Sequence, residues 1–201
     1  MNYELVFQKI IADPRYAEGI TYGKPRKGHQ EGVVRAHLAE LDSNLRRIWD
    51  MLAFDELWKL SILIHTHDTF KKWSARDVPI DQLNSHASLA RNFLAEFLTE
   101  GNPEHQDLLA MVQWHDENFA LWKQMKKTGD YDHERLLKRV VEGIHDIELF
   151  LMFTLIDGHT QSKMALADQE KPEKIRWFYE QVASYRGTMP RFEMAMEMFG
   201  L

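Results

Sequence analysis

The stretch LSILIHTHDTFKKW, Leu60–Trp73, combines an apolar run with a polar ending. Leu60, Leu63, Ile64 and His67 recur at spacings of three and four, which is one face of an α-helix. The run therefore predicts a helix from about Asp55 to His67 or slightly beyond. On its buried side that helix ends in His67 and Asp68, with Lys71 one turn on. An unpaired carboxylate is costly to bury, so something positive should meet this pair. A metal, an arginine or water can fill that role.

Outward from this stretch the same period dominates, and strand alternation is almost absent. Helices are predicted over Tyr3–Ala12, stopping near ADPRY, and over about Glu31–Trp49, with Val34, Leu38, Leu41, Leu45 and Ile48 on one face. A further helix starts near Ser85 and ends before Gly101. Pro103 suits the first turn of the next, about Glu104–His115. Glu117–Lys127, Asp132–Gly143, Asp146 to about Lys163, Pro172–Tyr185 and the closing MPRFEMAMEMFGL complete an all-α chain. Repeats, low-complexity segments and linkers are not visible, so residues 1–201 read as one domain.

Composition narrows the function. A net charge of −6 argues against a nucleic-acid polymer as partner, which needs a basic face. The longest apolar runs, such as Leu149–Phe153, are too short to span a membrane, and the N-terminus lacks a signal-peptide pattern. With no cysteine there is no disulfide, thiolate zinc site or cysteine nucleophile. A cytoplasmic location is the expectation. The loop YGKPRKGHQEG concentrates Lys24, Arg26, Lys27 and His29, and reads equally as a solvated loop or an anion-binding one. The C-terminal FEMAMEMF reads as a packing surface or a homodimer contact.

Ten histidines are many for this length, and their positions carry information. His37, His67, Asp68, His86, His115 and Asp157 all fall on apolar helix stripes where core residues are expected. Periodicity alone does not make them ligands, because His133 and His145 pass the same test. A hydrogen-bonded structural role fits any one of them. His65 points to the opposite face from His67 and reads as structural or supporting.

The order His37, His67-Asp68, His86, His115, Asp157 resembles the HD-domain superfamily of metal-dependent phosphohydrolases. HDTFK looks like that family's His-Asp-x-x-Lys box, and GHQEGVVRAH resembles the turn before its first ligand. The resemblance covers about residues 25–163, with the helices of 172–201 packing on that core. It implies a single HD-domain helical bundle in which His37, His67, Asp68 and Asp157 hold one ion. It further implies that His86 and His115 serve a second ion, with Asp68 bridging, although they can instead bind a substrate phosphate. Imidazole and carboxylate donors suit one or two divalent transition ions, Mn, Fe, Co, Ni or Zn.

Such a site implies hydrolysis of a phosphate ester of a small nucleotide or related metabolite, by attack of metal-activated water. Asp68 and Lys71 are the implied catalytic pair, Lys71 facing the transferring group. Lys24, Arg26 and Arg35 are second candidates for phosphate binding, and Lys163 a weaker one. Asp116 and Glu117 in WHDEN lie near the site or cap the turn, and Trp73, Trp114, Phe119 and Trp122 form an aromatic wall or core packing. Two alternatives stay open: an HD-fold diiron oxygenase cleaving a C–C or C–P bond with O₂, and a non-catalytic nucleotide-sensing HD domain.

Overall fold

A computed structural model of the protein describes residues 2–25, 32–75, 78–160 and 170–201. Every named element among these residues is helical, and the all-α expectation is borne out. The helices are α1 (Tyr3–Ala12), α2 (Pro14–Gly19), α3 (Val34–Arg47), α4 (Phe54–Thr66), α5 (His86–Ala95) and α6 (Pro103–Trp114). They continue as α7 (Glu117–Thr128), α8 (His133–Leu136), α9 (Ile147–Gly158), α10 (Glu170–Arg186) and α11 (Pro190–Met198). Trp49–Met51 and Thr69–Lys72 form 3₁₀ turns, and Leu137–Val141 forms a π turn.

Most of the starts are marked chemically. Asn2, Asp13, Ser85, Asn102, Asp132 and Asp146 each accept a backbone N–H of the first turn with the side chain. These bonds satisfy donors that a helix leaves open. α3 lacks a side-chain cap; there Val34 N and Arg35 N donate to the carbonyls of Tyr22 and Ile20 at 2.9 and 2.8 Å. The backbone at Ile20 and Tyr22 is thereby pinned to the helix that carries His37.

α9 is apolar around its whole circumference, so it has to be enclosed. It is buried from Ile147 to Gly158 apart from Glu148 and Asp157, and packs against α3, α4, α10 and α11. α4 is the second organising helix, in contact with α1, α3, α5, α6 and α9. Leu60, Ile62, Leu63, Ile64, Phe150 and Phe153 fill the space between them. The C-terminal helices close the core, α10 on α7 and α9, and α11 on α9. No helix among the described residues is long and apolar enough to cross a membrane.

Three local expectations change. α2 is an added helix, where Asp13 caps and Pro14 opens the turn. The stretch expected to run from Asp132 to Gly143 is broken: after Leu136 the backbone widens, with Glu142 N bonded to Leu137 O at 2.8 Å. The helix of Asp146 ends at Gly158, and Lys163 lies outside the described residues.

Candidate metal centre

His67 and Asp68 stand at the end of α4, with His67 in the C-cap position and Asp68 leading into the 3₁₀ turn. The His67 ring donates from Nδ1 to the Ile64 carbonyl, 2.8 Å away, one of the acceptors a helix end leaves unused. That bond fixes the tautomer and points the Nε2 lone pair inward. Nε2 is buried and has no hydrogen-bond partner. The Thr69 hydroxyl donates back to the His65 carbonyl at 2.6 Å, closing the turn.

Around this dyad the chain gathers the other four of the six residues expected as ligands. His37 comes from the first turn of α3, His86 from the first residue of α5, His115 from the C-cap of α6, and Asp157 from the last turn of α9. With the dyad they form two groups with the spacing of potential metal ligands: His37, His67 and Asp157 in one, and Asp68, His86 and His115 in the other. Asp68 faces both. Its Oδ2 lies 3.5 Å from His67 Nε2 and 3.9 Å from His37 Nε2, while Oδ1 lies 3.7 Å from His86 Nε2 and 3.9 Å from His115 Nε2. His37 Nε2 is 3.0 Å from Asp157 Oδ1, and the Nε2 atoms of His86 and His115 are 3.1 Å apart.

Lys71 Nζ is bonded to Asp68 Oδ2, so this lysine belongs to the cluster, while its neighbour Lys72 turns away to Glu18. Burial would push the Asp68 carboxyl up, but Lys71 and the imidazoles outweigh it and hold it well below the carboxylate range. Burial likewise opposes the Lys71 charge, and the carboxylates of Asp68, Asp116 and Asp157 raise it nonetheless. Phe153 lies under the site, its ring centre 5.2 Å from that of His67.

The remaining candidates separate by environment. His65 is structural: its Nδ1 meets the Tyr16 hydroxyl at 2.6 Å and its Nε2 meets Asp42 at 3.2 Å. His133 and His145 are exposed, away from any buried stripe. Glu117 is fully buried and held by Arg135 and Arg139, both delivered by the segment around the π turn. Asp116 instead faces the site, with Oδ2 3.3 Å from His86 Nε2 and 3.5 Å from His115 Nε2. Trp122 is core, against Trp177, whereas Trp73 and Phe119 are exposed and Trp114 lies half-buried under Arg139. Lys24 and Arg35 are exposed on the loop and first turn leading to His37, and Arg26 lies outside the described residues.

The donor set fits a divalent cation. Donors bound at about 2.0–2.2 Å to one ion stand roughly 3 to 3.5 Å from each other; His37 and Asp157 are 3.0 Å apart, His86 and His115 3.1 Å, and the ligand atoms of each group all lie within 4.8 Å of one another. The inward Nε2 of His67, with its other nitrogen on a carbonyl, is the arrangement in which imidazole ligates. The buried His/Asp cluster could thus hold a metal, as a metal-dependent enzyme requires. Compared with protein-family profiles, curated proteins and solved structures, the chain has no match.

Proposed function

We propose that the protein is a metal-dependent phosphohydrolase of the HD type, acting on a phosphate ester of a small nucleotide or related metabolite. One observation carries this reading: Asp68 turns one oxygen to each histidine group while Lys71 binds the same carboxylate. His37, His67 and Asp157, or Asp68, His86 and His115, would hold a divalent cation of the Mn, Fe, Co, Ni or Zn series, which would supply a water of lowered pKa and a Lewis acid for a phosphoryl oxygen.

The chain's own residues do the remainder. His37, His67 and Asp157 fix one set of donors, His86 and His115 the other, and Asp68 joins them. Lys71 brings a positive charge to Asp68 Oδ2, beside which phosphoryl oxygens would gain charge in the transition state. The oxygen of water bonds to phosphorus, the ester P–O bond breaks, and a proton passes to the leaving oxygen. Trp73, 41 % exposed and two residues beyond Lys71, offers a ring for a flat group.

A panel of phosphate esters assayed with each cation tests this. Lys71→Ala should keep the bound metal and lose roughly 10²-fold or more in turnover, as when one transition-state donor is removed. Chelation should abolish turnover, and exclusion of oxygen should leave it unchanged. A requirement for O₂ with a non-phosphorylated substrate would instead mark an HD-fold oxygenase. Tight nucleotide binding without turnover would mark a sensor.

A further inference from the structure

His115-Asp116 has the same construction as His67-Asp68. Each histidine is the C-cap of a helix, α6 or α4, and donates from Nδ1 to the carbonyl three residues back, Val112 or Ile64, at 2.8 Å in both cases. Each aspartate is the N-cap of the next helical segment. The backbone angles are φ −51°, ψ −41° at His67 and −57°, −30° at His115. They are −107°, −6° at Asp68 and −93°, 4° at Asp116, the largest difference being the 14° between −107° and −93°.

Asp116 also declines the local task its position offers. Asp13, Asp132 and Asp146 all use their carboxylates to cap the helices they precede. Asp116 makes no side-chain cap bond to α7. Its carboxylate turns to the two imidazoles, 3.3 Å from His86 Nε2 and 3.5 Å from His115 Nε2. Asp68 Oδ1 lies 3.7 and 3.9 Å from the same two nitrogens, so two carboxylates and two imidazoles converge on one point.

We propose that His115-Asp116 is a second His-Asp dyad and that Asp116 is the fourth donor to a second divalent ion, beside His86, His115 and the shared Asp68. The second ion then matches the first, which has His37, His67, Asp68 and Asp157: two imidazoles, one carboxylate of its own and one in common. Asp116 is the more exposed of the two terminal carboxylates, its side chain 39 % accessible against 20 % for Asp157.

This rests on the metal site of the preceding section, but its test reads the metal alone. The full chain is stripped with chelator, titrated with Mn(II) and followed by metal analysis and electron paramagnetic resonance. The wild type should take up two ions with the spectrum of an exchange-coupled pair. Asp116→Asn should keep the first ion at full occupancy, which also shows that it folds, and bind the second at least 10-fold more weakly, leaving an isolated-ion spectrum at Mn(II) levels that couple the wild type. Asp116→Glu, which retains the oxygen donors, should hold the coupled pair. A coupled pair at wild-type affinity in Asp116→Asn, or a single ion in the wild type, overturns the proposal. Should Asp116→Asn fail to fold, an uncoupled Asp116→Glu does the same. A coupled pair that depends on Asp116, in a protein that hydrolyses no phosphate ester, would overturn the phosphohydrolase reading and leave the dyad standing.

Discussion

Burial drives His67 from the ordinary histidine value of 6.5 down to about 3, because a charged imidazole cannot be solvated there. Burial would lower His115 too, but the carboxylates of Asp116 and Asp68 outweigh it and raise it to about 9. The two shifts act oppositely on the metal-free protein. The unfolded chain takes a proton at position 67 more readily, so stability is complete above pH 6.5 and falls as the pH drops toward 3. The native chain holds its proton at position 115 more tightly, so that contribution is complete below pH 6.5 and is lost as the pH rises through 9. Each pH unit over which the states differ by one proton is worth about 1.4 kcal/mol. Chelated protein should be most stable near pH 6.5, and saturating Mn(II) should remove the alkaline decline by displacing that proton. Denaturant titrations from pH 5 to 9, with and without metal, check this; equal slopes above pH 6.5 would contradict it. The donors themselves were legible as polar residues on apolar stripes. What the stripes could not separate was His37 or His115 from His133 and His145, since the exposure of the latter two depends on how the chain bends around the π turn.

Among the elements, α2 sets the position of the dyad's turn although it carries no donor. A Cβ on Gly19 would lie 2.2 Å from the Thr69 carbonyl oxygen and 2.8 Å from its Cγ2. Backbone therefore meets backbone between the end of α2 and the 3₁₀ turn, which also carries Lys71. Gly19→Ala should cost about 1–3 kcal/mol through this overpacking and weaken metal binding as well, because the turn between Asp68 and Lys71 has to shift. Thermal melting and a Mn(II) titration of the same variant measure both. Melting at the wild-type temperature would show that α2 yields without cost. Helix positions were readable where caps and period coincide, as at Tyr3–Ala12 and at Pro103. α2 was missed although Asp13-Pro14 is a cap followed by a first-turn proline, because six residues are too few for a period. The 3₁₀ turn was missed because its residues continue the stripe of α4 while their backbone tightens.

At the scale of the whole molecule, the all-α class follows from a 3.6-residue period repeated through the chain, and one continuous core joins α1 to α11. The convergence of five segments on Asp68 was not contained in any local pattern. It depends on which helices flank α9, a matter of long-range packing. That enclosure of α9 has a consequence for isotope exchange. Amides along Leu151–Ile156 lie inside a helix sheathed by four others, so they should exchange with deuterium through global opening rather than local fraying. Asp157 ties the tip of the same helix to the cluster. At free metal a thousandfold above Kd, these amides should exchange about a thousandfold more slowly, while those near Leu5, on the exposed face of α1, keep their metal-free rates. Mass-resolved deuterium uptake with and without Mn(II) would register the difference. Unchanged uptake along α9 under conditions of full occupancy would mean that the helix at the centre of the fold and the ion at its end are energetically separate.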